Sequence, residues 1–194
     1  GKLEDAILVN IDASGKFVMT LGGPGPAEGS GQQPGPAQFK EPWGVAVAPD
    51  GAVYVADTWN HRIQKFDASG NFVTLWGTFG DVGSAVAEKP TTFYGPRGIA
   101  IDPQGNIWLT DTGNKRVLKF DSSGKPLGQF GGAGPLVGQF SEPVGIAISQ
   151  KSGDIYVADT WNRRVQKFDK NFTPVAQFLV NGWETTSVLN KPYI

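Results

Sequence analysis

The chain of 194 residues is 39% hydrophobic, enough for a substantial core, and its 27 glycines and 14 prolines exceed what a helical domain tolerates, which points to short strands and many turns. Its 17 basic and 18 acidic residues are spread along the chain and leave a net charge of -1, so no field is set up that would draw in phosphate backbones or anionic lipid. The lack of cysteine excludes disulfides, thiolate metal sites and a cysteine nucleophile, and no run approaches the roughly 20 apolar residues that would span a bilayer.

Taken in order, the chain opens at Gly1-Lys2 with neither an initiator Met nor a signal segment, so a processed or excised piece is expected. The compartment stays open, with an extracytoplasmic or secreted setting preferred. Residues 1–22 hold two strand runs about an Asp12-Ala-Ser-Gly15 turn and are read as the outer half of a four-stranded unit. A connection runs from Gly22 to Gln38. The first full unit, residues 39–78, has β-rich runs at Gly44 to Ala48, Ala52 to Ala56, Arg62 to Asp67 and Phe72 to Gly77. Pro49-Asp-Gly51 and Asp67-Ala-Ser-Gly70 supply the glycine that a tight hairpin needs at positive φ. After a second long connection, Gly77 to Thr92, come a unit at 93–131 and another at 140–179, with Asp102-Pro-Gln-Gly105, Asp121-Ser-Ser-Gly124 and Gln150-Lys-Ser-Gly153 as turns. Residues 189–194, Leu189-Asn-Lys-Pro192-Tyr-Ile194, align with Phe39 to Gly44 and read as the start of a next unit.

Two blocks recur. Phe39-x-x-Pro42-Trp-Gly-Val-Ala-Val47 returns as Phe93-x-x-Pro96-Arg-Gly-Ile-Ala-Ile101 and Phe140-x-x-Pro143-Val-Gly-Ile-Ala-Ile148. Asp57-Thr-Trp-Asn-His-Arg-Ile-Gln-Lys-Phe-Asp67 returns as Asp111-Thr-Gly-Asn-Lys-Arg-Val-Leu-Lys-Phe-Asp121 and Asp159-Thr-Trp-Asn-Arg-Arg-Val-Gln-Lys-Phe-Asp169. Sheets of four strands at this period suit radial packing about an axis, which shields their edges. The paired motifs closely resemble the NHL repeat family. The expected fold is therefore all-β: an NHL-type β-propeller arc of four-stranded antiparallel blades, a single partial propeller over 1–194. Propellers close with roughly four to eight blades, so further blades of a parent chain or a second copy are expected to complete it.

Strand parity puts the second-to-third loop of each blade and the blade-to-blade connections on one face, and the tight turns on the other. Loops that vary over a rigid scaffold are where binding sits. Trp43, Arg97, Val144 and Tyr193 follow the repeat proline, a position that the resemblance places around a central channel mouth. With Trp59 and Trp161 of the Asp-Thr-x-Asn loops, the candidate binding residues are Trp43, Trp59, Arg97, Trp161 and Tyr193. They form an aromatic surface fit for a sugar ring, a peptide or a partner protein, or else the tryptophans pack against a neighbouring blade. Asp57 with Arg62, Asp111 with Arg116 and Asp159 with Arg164 recur in every unit, so they read as structural pairs fastening the loop to the third strand. Asn60, Asn114 and Asn162 read as turn formers bonded to nearby backbone.

Some NHL-like propellers are lyases or hydrolases that hold a metal through several histidines or carboxylates. The one histidine here, His61, shares its repeat slot with Lys115 and Arg163 and reads as a surface loop residue. No catalytic or metal-binding residue and no cofactor is assigned, since no nucleophile-elbow, zinc-helix or phosphate-loop motif occurs. Other NHL propellers bind RNA on a basic face. Most arginines here are already committed to the repeat pairs, so nucleic acid is not the partner expected. The function expected is a non-catalytic scaffold for protein-protein or ligand binding, carbohydrate included, through the loop-rich face. The competing class is a fragment of an NHL-type lyase or hydrolase whose metal ligands lie outside this chain.

Overall fold

The structure, a computed structural model, describes residues 8–11, 14, 16–26, 30, 32–83 and 89–179. Tyr193 and the expected next unit at 189–194 lie outside them. Three four-stranded antiparallel sheets are laid down in chain order. The first comprises Gly44–Val47, Val53–Asp57, Arg62–Phe66 and Phe72–Trp76. The second comprises Ile99–Ile101, Ile107–Asp111, Arg116–Phe120 and Pro126–Gly131. The third comprises Pro143–Ile148, Ile155–Asp159, Arg164–Phe168 and Pro174–Leu179. Ahead of them Leu8–Ile11 pairs antiparallel with Phe17–Leu21. Among the described residues no helix is long and apolar enough to cross a membrane.

The outer hairpins share one device. Asp67 Oδ1 accepts from the N–H groups of Ser69 and Asn71, which sets an Asx turn, and Gly70 then takes φ +84°. Asp121 and Asp169 repeat the two bonds. In the third blade the positive-φ residue is Phe172, at φ 69°. Its ring stacks on Phe130 of the second blade, centroids 5.3 Å apart, and meets Trp108 edge-on. That inter-blade packing offsets the strain a non-glycine residue meets in the left-handed region.

The core lies between the sheets. Tyr54, Ala56 and Ile63 of the first blade are buried against Ile99, Ile101 and Leu109 of the second. Trp108 and Val117 of the second are buried against Ile146, Val157 and Phe168 of the third. Leu21 closes on Phe39, Val55 and Phe66. The innermost strands approach so closely that a Cβ on Gly44 would run into the Arg97 carbonyl, and one on Gly98 into that of Val144, which accounts for glycine in the Pro-x-Gly motif.

The connections carry structure of their own. Gly23–Pro24 pairs with Gln38–Phe39, and Thr78–Phe79 with Thr92–Phe93, both parallel. A lone parallel bridge joins Ala133 to Phe140. Each connection thus leaves and rejoins the scaffold at the same level.

Candidate functional site

Each Asp-Thr-x-Asn turn is organised by a buried carboxylate. Asp57 Oδ2 accepts from Arg62 Nε at 2.8 Å, Asn60 Nδ2 at 2.9 Å and Gln64 Nε2 at 3.0 Å, while Oδ1 accepts from the Lys40 N–H at 2.8 Å. The guanidinium then reaches across to the connection and donates to the carbonyls of Pro34, Gly35 and Gln38. Arg116 does the same to Lys89 and Thr92, and Arg164 to Leu136 and Gln139. The pairs therefore do more than fasten a loop to its strand: they staple each blade-to-blade connection in place. Asn60, Asn114 and Asn162 bond the carboxylate and also the distant carbonyls of Gln38, Gly80 and Gly134. Burial pushes the Asp111 carboxyl above the usual range, opposed by hydrogen bonds from Asn114, the Tyr94 N–H and Arg116.

The third residue of the turn is what the staple presents. Thr58–Asn60 and Thr160–Asn162 each form a 3-10 turn that lifts Trp59 and Trp161 to the surface, 39% and 53% exposed. The second blade has Gly113 at this place, and Tyr94 lies against it. Between the two tryptophans opens a cleft of about 540 Å³, lined by Trp59, Tyr94, Arg97, Gly113, Glu142 and Trp161 among others. Arg97 Nη1 lies 2.7 Å from Glu142 Oε1, and its guanidinium sits 4.3 Å from the Trp43 ring centroid. Trp43 is itself 49% exposed. Of the residues singled out in the sequence, Trp59, Arg97 and Trp161 meet in the cleft, Trp43 supports it through Arg97, and Val144 is buried.

His61 is half-buried and packs against two residues of this wall, Trp59 and Tyr94, at φ 54°. Its Nδ1 accepts from the Gly95 N–H at 3.0 Å, and its ring is surrounded by Trp59, Phe79 and Tyr94. Burial lowers its pKa, Lys40 adds to the effect, and Asp57 opposes it. Sequence reasoning missed Tyr94 and Glu142 altogether and met Lys115 only as the counterpart of His61. It also passed over Gly113, although a glycine between two tryptophans in one repeat slot was a signal that the wall is interrupted there. Among the described residues no three His, Cys, Asp or Glu side chains gather in a metal-binding group.

Stacked four-stranded blades with stapled connections and a shared loop face define an arc of a β-propeller. The chain belongs to the NHL-repeat family, whose repeat matches residues 39–66, 93–120 and 140–168. It is similar to human NHL repeat-containing protein 3, 34% identical over 122 residues, 61% of this chain and 31% of that protein. It is also similar to rat peptidylglycine alpha-amidating monooxygenase, 30% identical over 153 residues, 75% of this chain and 14% of the enzyme. The chain thus spans under a third of these relatives. A solved streptogramin B lyase superposes with a TM-score of 0.61 over 90% of this chain and 48% of the lyase, and at 15% identity the likeness is one of fold.

Proposed function

We propose that this arc is a non-catalytic binding module that takes a ligand or a segment of a partner protein in the cleft between Trp59 and Trp161. The observation that carries the reading is the pair of half-exposed tryptophans set two blades apart, with Gly113 between them, on the face where the variable connections gather. Large aromatics anchored on a rigid scaffold give contact area at little entropic cost, and they dominate the energetics of binding surfaces.

The test is a peptide array and a glycan array, probed with the intact chain and with the Trp59→Ala/Trp161→Ala double variant. Trp59 packs edge-on against His61 and donates to Glu41, so thermal unfolding is measured alongside and binding is compared where both proteins are folded. A ligand held by the parent and at least tenfold weaker in the variant supports the reading. Ligands held equally by both would overturn it.

The similarity to an amidating monooxygenase favours a second reading, an arc of an enzyme whose metal ligands lie in other blades. Amidating turnover by a longer chain that carries the other blades, with added divalent metal, would put that reading in place of the first.

A further inference from the structure

Resting on the reading that the cleft is the binding site, we propose that its occupant is a pyranose ring of an oligosaccharide, stacked on the tryptophan walls and gripped through two neighbouring hydroxyls by Arg97 and Glu142.

The grip follows from the ion pair. Arg97 and Glu142 come from adjacent blades and stand 2.7 Å apart, their side chains 19% and 32% exposed. A guanidinium carries five N–H donors and no acceptor, a carboxylate only acceptors. One Arg97 donor goes to Glu142, and stacking on Trp43 holds its plane. A donor and an acceptor fixed side by side match two adjacent ring hydroxyls, one accepting from the guanidinium and its neighbour donating to the carboxylate. Bonds to charged partners are the stronger kind. The geometry exists before the ligand arrives, so little ordering is left to offset.

The walls fit the rest of such a ring. A pyranose presents C–H groups on its faces, which pack on indole rings, and Trp59 and Trp161 flank the site from the first and third blades. The cleft of about 540 Å³ lies within the range of roughly 300–1,000 Å³ common for small-ligand sites.

A polypeptide strand, in contrast, finds much of the cleft's backbone already bonded. The Gly113 N–H is bonded to the Tyr94 carbonyl, and the Gly113 carbonyl accepts from Lys115 Nζ. The Gly95 N–H is held by His61, and the Ser141 N–H by Asp159. The cleft's recognition groups are therefore side chains, as a ligand rich in hydroxyls requires.

The experiment is glycan-array screening of the intact chain, followed by calorimetric and tryptophan-fluorescence titration of the oligosaccharides that bind. Trp161→Ala and Glu142→Ala are each expected to weaken binding tenfold or more at an unchanged unfolding midpoint. Glycan binding that is indifferent to both variants overturns the proposal. So does an array on which peptides bind through the tryptophans and no glycan does, an outcome that leaves the cleft standing as the binding site. If neither class binds through Trp59 and Trp161, the cleft reading falls as well.

Discussion

Thr58 Oγ1 donates at 2.8 Å to the carbonyl of Pro96, one blade further on, and Thr112 Oγ1 donates at 2.7 Å to that of Pro143. One hydroxyl thus ties the first blade to the segment entering the second, and another ties the second blade to the first strand of the third. The third member, Thr160, is equally buried, and its hydroxyl has no partner among the described residues. Valine keeps the shape and removes the donor. Thr112→Val should therefore cost about 1–3 kcal/mol, because it leaves the Pro143 carbonyl buried and unpaired. Thr160→Val loses no such bond to the described residues and should be near neutral. Urea unfolding of both variants checks the contrast, and equal losses would show that the bond is not what couples the blades.

The Asp111–Arg116 pair is fully buried at 2.9 Å. Removing one partner strands the other charge, so Arg116→Met should destabilise by about 3–5 kcal/mol. Adding Asp111→Asn to it should recover part of the loss, because the remaining group is then neutral. The measurement is again equilibrium unfolding, and a double variant no better than the single one would contradict the account.

The strands were legible in the sequence because each is bounded by a turn residue whose role is local, as with Asp67 and Gly70. The recurring Asp and Arg were legible as structural for the same reason that they recur. What the sequence does not carry is contact across the connections. The parallel pairing of Thr78–Phe79 with Thr92–Phe93 depends on where a long loop returns. The setting of His61 depends on Phe79 and Tyr94, which that pairing delivers to it. No local spacing encodes either. The partnership of Arg97 with Glu142 likewise joins two blades, and only the stacking of the sheets brings the two side chains together.

His61 should make the loop face sensitive to acid. Its Nδ1 accepts a bond, so the ring is neutral in the fold, and burial depresses its pKa below 6.5. The folded state then binds fewer protons than the unfolded one, so stability rises with pH. The contribution is complete above 6.5 and is lost as pH falls from there through the depressed folded value. Lys40 and Asp57 are the charged groups that face the ring. Because the chain has one histidine, its imidazole titration by NMR is unambiguous. The midpoint should lie below 6.5, and His61→Gln, which can accept the Gly95 N–H without titrating, should flatten the stability profile between about pH 7.5 and 5. A midpoint at or above 6.5 would remove the basis for this expectation.

Gly113 is where the cleft can be closed by design. A Cβ there would stand 2.5 Å from both Cγ and the carbonyl oxygen of Tyr94. The Tyr94 backbone cannot easily retreat, because its carbonyl holds the Gly113 N–H and its own N–H holds Asp111. Gly113→Ala should therefore cost about 1–3 kcal/mol, as overpacking does. The third blade shows how a tryptophan is accommodated at this repeat place, since Ser141 stands there where Tyr94 stands in the second. Gly113→Trp alone should be strongly destabilised. Gly113→Trp/Tyr94→Ser restores the residue pair of the third blade and removes the side-chain clash, so it should regain part of the stability while filling the cleft and abolishing ligand binding. Thermal unfolding and ligand titration of the three variants separate the two effects. If Gly113→Ala proves as stable as the parent, Tyr94 yields freely, and the glycine is not what keeps the cleft open.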